Sequence, residues 1–241
     1  MWYPENKKDL DFMLEDFLNQ ETKLKISKKI EGIIVPHAGY FYSGKIAAKA
    51  YRLFKNSKSN YKKAIIFGPS HYIYLRDLAT HNQDFWQTPL GKIKIFNLHN
   101  LNNLRLNIEK EHSIGNQVPF VQKIGLTEIC PLMVGEIDNK KAEEVAEKIF
   151  GINALKIFST DLSHFFTYNE ALEIDRKSIE IIQDLDFKNL EYLDACGKNA
   201  IKILFFLCKK LKSNPKLIDY INSGDVTGNK NSVVGYASFY F

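Results

Sequence analysis

The chain has 241 residues, 45% of them hydrophobic and 13% aromatic, enough apolar material for a sizeable core and too much for a disordered chain. Its net charge of +5 comes from lysines scattered along the whole sequence, not clustered with aromatics on one element, which argues against a nucleic-acid partner. Three cysteines without a CxxC pair make no disulfide framework, the early charges of the N-terminus do not read as a secretory signal, and the most apolar stretch, Ala200 to Cys208, is too short to span a membrane, so the expected location is the cytoplasm.

Apolar runs alternate with helical patterns from one end to the other. A helix is expected over Lys7 to Asn19, then a short strand at Ile33–Val35 that stops at Pro36, then a helix from Ser43 to Phe54. A second strand, Ala64–Phe67, closes at Gly68-Pro69. Leu78 to Phe96 reads as two extended stretches folded into a hairpin around Thr88-Pro89-Leu90-Gly91. A third strand spans Ile129–Val134, with a charged helix over Lys140 to Ile149, and a fourth spans Leu155–Phe158. Helical stretches follow at Asn169 to Asp184, Asp186 to Asp194 and Gly197 to Leu211, and Val233–Phe241 is a terminal strand. Short strands apolar on both faces and alternating with helices predict an α/β fold, with a mixed, largely parallel sheet flanked by helices on both faces. With no internal repeat and no Gly/Ser linker, residues 1–241 read as one domain.

Three strands end alike, with His37 two residues past Val35, His71 after Gly68-Pro69-Ser70, and His164 after Ser159-Thr160-Asp161-Leu162-Ser163. Ligands of open α/β sheets bind beyond the carboxyl ends of the strands, so these histidines and Asp161 are expected to share one pocket. Imidazole suits iron, copper, zinc and nickel. A third, anionic ligand has two candidates. One is Asp161; the other is Cys196, placed at a helix start where the dipole favours thiolate. Cys130 and Cys208 lie in apolar segments and read as core. The segment Glu111 to Phe120 follows no strand; its polar residues suit a pocket wall, Ser113 is a candidate helix cap, and His112 a candidate acid or base. His81 and His99 receive no role.

Six segments taken together resemble the Memo family, protein B of the AMMECR–Memo–radical SAM grouping. They are Pro36-His37-Ala38-Gly39-Tyr40-Phe41-Tyr42-Ser43-Gly44; Gly68-Pro69-Ser70-His71; Glu111-His112-Ser113 with Gln117-Val118-Pro119-Phe120; Ser159-Thr160-Asp161-Leu162-Ser163-His164; Cys196-Gly197; and Ser232-Val233-Val234-Gly235-Tyr236-Ala237. The resemblance implies a fold like that of class III extradiol dioxygenases and a metal, iron or copper, held by His37, His71 and Cys196. After Cys196-Gly197 the family's basic, Pro-containing continuation is replaced here by Lys198-Asn199-Ala200. Asp161, His164 and His112 would then be polar groups around the metal that move protons. Zinc remains compatible with His37, His71 and Asp161. The resemblance implies either a metal-dependent redox enzyme or a non-catalytic adaptor that takes a peptide in the same pocket, with Lys45 and Arg76 near it. It also suggests an accessory factor acting with AMMECR-type and radical-SAM partners. A serine hydrolase is disfavoured, because Ser70 lies in Gly-Pro-Ser-His and not in a GxSxG elbow.

Overall fold

The computed structural model describes residues 2–20, 24, 26, 28–98, 100–101 and 103–241; His99 lies outside the described residues. In chain order the elements are α1 (Lys7–Asn19), β1 (Gly32–Val35), a wide helical turn (Tyr40–Gly44) leading into α2 (Lys45–Lys55), β2 (Lys63–Pro69), β3 (Leu78–His81), β4 (Phe85–Thr88), β5 (Gly91–Ile95) and β6 (Leu104–Leu106). These are followed by α3 (His112–Gly115), α4 (Val118–Lys123), β7 (Glu128–Val134), α5 (Asn139–Phe150), β8 (Leu155–Ser159), β9 (His164–Phe166), α6 (Tyr168–Asp184), α7 (Lys198–Leu211), β10 (Lys216–Asn222), α8 (Ser223–Thr227) and β11 (Val233–Tyr240).

Among the described residues the sheet runs β10-β11-β1-β8-β2-β7-β3-β6. Its centre, β1-β8-β2-β7, is parallel throughout, and antiparallel pairs flank it at β1–β11, β10–β11 and β3–β7. The fold is therefore the expected mixed, largely parallel α/β arrangement. Side chains of the central strands alternate between two cores. Ile33, Val35, Ala64, Ile66, Ile129, Leu155 and Ile157 face the side covered by α1, α2 and α4. Ile34, Ile65, Phe67, Cys130, Leu132 and Phe158 face α5, α6 and α7. Cys130 and Cys208 sit in this second core, as their apolar surroundings predicted.

The connection from β1 to β2 runs through α2 on one face, and the return from β7 to β8 through α5 on the other. Between these opposed crossovers the carboxyl ends of β1, β8 and β2 lie level, with Val35 paired to Ser159 and Phe67 to Phe158. A crevice opens there, where such sheets bind ligands.

The hairpin is present as β4–β5, with Thr88 opposite Gly91. Several local expectations are corrected. Only a short turn at Leu190–Tyr192 is helical within 186–194. Leu185 takes a left-handed conformation (φ 52°) that ends α6, and the Asp186 carboxylate then accepts from Lys188 N and Asn189 N, bending the chain away. The strands β6, β9 and β10 lie at edges, half-buried or exposed, and lack the continuous apolar run that marks a central strand. Glu111, not Ser113, caps α3.

Candidate metal centre

The crevice gathers side chains from segments far apart in sequence. His37 follows β1 and is 2% exposed. Its backbone N–H donates to Asp161 Oδ1 (2.7 Å) and its carbonyl accepts from Asn116 Nδ2 (2.6 Å). Its Nδ1 lies 2.9 Å from Ser159 Oγ, which also accepts from Gln117 Nε2; Gln117 Oε1 in turn accepts from Tyr51. This chain of buried polar groups fixes the ring plane and leaves Nε2 facing the crevice.

His71 follows β2. Glu111 holds it twice, through the backbone N–H (2.8 Å to Oε2) and through Nδ1 (2.8 Å to Oε1). A carboxylate against Nδ1 assigns the proton to that nitrogen, so Nε2 keeps its lone pair. His112 opens α3 and comes next to His71, their rings 4.3 Å apart at 30°. Its Nδ1 meets Tyr72 Oη at 3.0 Å, and its ring lies flat against Trp2, 3.9 Å away at 3°. Gly68 makes this approach feasible, since a Cβ there would stand 2.4 Å from Ser113 Oγ. Gly197 does the same for the thiol: a Cβ would meet Thr160 Cβ at 2.7 Å, and its absence lets Cys196 Sγ come within 3.3 Å of His37 Nε2.

The ligand atoms of His37, His71 and His112 all lie within 4.8 Å of one another and could hold a metal ion. The donor chemistry fits. Burial, with His71 adding to it, pushes the His37 imidazole down to about 3. Burial likewise pushes His112 down to about 4, helped by His37 and His71. Both are neutral at physiological pH and offer lone pairs. The 4.0 Å approach of His37 Nε2 to Asp161 Oδ2 is therefore not an ion pair. Burial opposes ionisation of Glu111, but the hydrogen bonds from His71 and Ser113 outweigh it and hold its carboxyl at about 2. Burial raises the Asp161 carboxyl above its ordinary value.

Burial and the neighbouring Asp161 push the Cys196 thiol up to about 12. This reverses the expectation of a thiolate favoured by the helix start. The helix begins two residues later, and the Gly197 N–H is taken by Thr160 Oγ1 at 2.8 Å. The thiol is instead held by Asp161 N at 3.2 Å.

His164 stands on β9, opposite Val234 of β11, and not in the loop that its position after β8 suggested. Its electrostatic influence still reaches His37 and Asp161. His81 is a core histidine beside Trp86 that accepts from Ile108 N. A cavity of about 380 Å³ reaches the centre past Tyr72, Tyr74, Glu136 and Asn199, with His71 and Cys196 in its wall. Arg76 stands over Tyr74 at its rim. Glu111 was visible in the sequence only as part of a polar cluster, and Trp2 and Tyr72 carried no signal of their own.

Fold and site together define an α/β protein with a partly buried, imidazole-rich centre at the carboxyl ends of its parallel strands. The chain belongs to the Memo family: the model of the Memo-like protein matches residues 1–240. Curated relatives extend across archaea and bacteria. A MEMO1 family protein of Sulfolobus acidocaldarius is 33% identical, covering 86% of this chain and 81% of its own length. One from Thermoplasma acidophilum is 33% identical, covering 98% and 94%. One from Aquifex aeolicus is 30% identical, covering 100% and 96%. Among the described residues no helix is long and apolar enough to cross a membrane.

Proposed function

We propose that this chain is a redox metalloprotein that holds iron or copper through His37, His71 and Cys196, with Asp161, His164 and His112 handling protons around the ion. The observation that carries the reading is the gathering of three imidazoles, His37 buried and His71 open to solvent, with a thiol 3.3 Å from His37 Nε2, beside a cavity that reaches His71 and Cys196. Imidazole with a soft thiolate suits copper and iron better than a carboxylate-rich, hard-cation site would. A bound iron or copper ion supplies one-electron chemistry. The chain's own residues do the rest. Asp161 and Ser159 orient His37, Glu111 orients His71, and the buried Asp161 carboxyl beside His37 can hold or release a proton. The thiol must lose its proton to become a ligand, as metal binding requires.

Metal analysis of anaerobically purified protein tests this. Wild type is expected to carry one equivalent of iron or copper, and His37→Ala none. Cys196→Ser is expected to lose metal or to bind it far more weakly. Full metal content in that variant would remove the thiol from the ligand set and promote Asp161. A second reading, a peptide-binding adaptor, is favoured by the exposed Phe41, Tyr42, Tyr72 and Tyr74, which extend from the segments carrying His37 and His71. Under that reading His37→Ala loses a partner, while wild type consumes no oxygen with any substrate.

A further inference from the structure

His112 stands in one group of ligand atoms with His37 and His71, and it is held differently. His37 is fixed by Asp161, Ser159 and Asn116, and His71 by two bonds from Glu111. Cys196 is fixed by Asp161 N and Thr160. The His112 ring leans on two surface residues, Tyr72 through its hydroxyl and Trp2 by stacking, with the Glu111 carboxylate farther off at 3.6 Å from Nδ1. With Nδ1 engaged by Tyr72, Nε2 is the nitrogen left to bind.

Three imidazoles form the group, and Cys196 borders it through His37. With bonds of about 2.0–2.1 Å to nitrogen and 2.3 Å to sulfur, donors around a tetrahedral ion stand roughly 3.3–3.7 Å apart. The separation of Cys196 Sγ from His37 Nε2 is already 3.3 Å. The three imidazoles lie within 4.8 Å and need only a modest contraction. The ring of His37 stands nearly perpendicular to those of His71 (5.1 Å, 76°) and His112 (5.4 Å, 83°), so each approaches a common centre from its own direction.

We infer that His112 is a fourth, exchangeable donor: it closes the metal centre at rest and yields its position to a ligand arriving through the cavity lined by His71, Tyr72 and Cys196. The inference rests on the metal reading of the preceding subsection. A site with four protein donors is closed, and a site that acts on a ligand needs an open position. The donor whose hydrogen bond and stacking come from the surface residues Tyr72 and Trp2 is the one that leaves.

X-ray absorption on zinc-loaded protein tests the donor count, and azide titration of cobalt-loaded protein tests the exchange. Wild type is expected to show three imidazoles and one sulfur, and His112→Ala two imidazoles and one sulfur. Azide is expected to bind His112→Ala at least tenfold more tightly than wild type, because no side chain competes for the position. Two imidazoles and one sulfur in wild type, or equal azide affinity in the two proteins, overturns the inference while leaving the His37, His71 and Cys196 site standing. A wild type that binds neither metal removes both readings. Should His112→Ala fail to fold, the wild-type count decides alone.

Discussion

At His71 the Glu111 carboxylate sits 2.8 Å from both the ring Nδ1 and the backbone N–H, and it also accepts from Ser113 N at 3.1 Å. One side chain therefore sets the tautomer of a candidate ligand, anchors the loop after β2 and caps α3. Glu111→Gln keeps the shape but loses the charge that raises the basicity of His71. Metal affinity is expected to fall about 10–100-fold, read by chelator competition, with little change in folding stability. Glu111→Ala also leaves two backbone donors without their acceptor, and is expected to cost a further 1–3 kcal/mol or so in denaturant unfolding. Equal metal affinity in wild type and Glu111→Gln would show that the carboxylate serves packing alone. The sequence could not assign Glu111 this task. A glutamate beside a histidine in a loop has many uses, and its partner, His71, lies 40 residues earlier.

Elements enter the site through close approaches that depend on missing side chains. Gly68 on β2 faces Ser113 and Ile114 of α3, and an added Cβ would stand 2.4 Å from one and 2.9 Å from the other. Gly68→Ala is expected to push α3 outward, break the Ser113 Oγ bond to Pro69 O and move His112 off His71. A loss of about 1–3 kcal/mol is expected, as for other overpacked sites, together with weaker metal binding. Gly151→Ala is the control, because a Cβ there meets nothing within 4 Å. Loss of stability without loss of metal affinity would separate α3 from the centre. This scale also shows what the sequence made legible. Buried strands with apolar residues on both faces were readable, and so was the rule that placed His37, His71 and Asp161 at their ends. His164 followed the same pattern but was drawn onto β9 by pairing with β11, and nothing local encodes a partner 70 residues away. The thiol's closeness to His37 spans 159 positions; a helix start made Cys196 one of two candidates, and the family resemblance set it with His37 and His71.

Across the whole molecule, the centre links β1, β2, α3 and the segment before α7, so a bound ion ties together parts of the chain that only the folded state brings near. Ligand bound to the folded state alone stabilises it by about 2.7 kcal/mol at a hundredfold excess over Kd. For a chain of this size that corresponds to a rise in Tm of roughly 5–10 °C. Chelation is expected to lower the Tm of the loaded wild type by that amount and to leave His37→Ala unchanged; an equal shift in both would place the ion elsewhere. The same arrangement has a consequence for synthesis. The last strand, β11, lies beside the first, β1, and the thiol arrives only at residue 196. A growing chain that has reached the end of β7 already carries His37, His71 and His112 but neither Cys196 nor the strands β8 and β11. If Cys196 is a ligand, as proposed above, an ion bound before residue 196 is made would lack it, and the complete donor set exists only once the chain has reached α7.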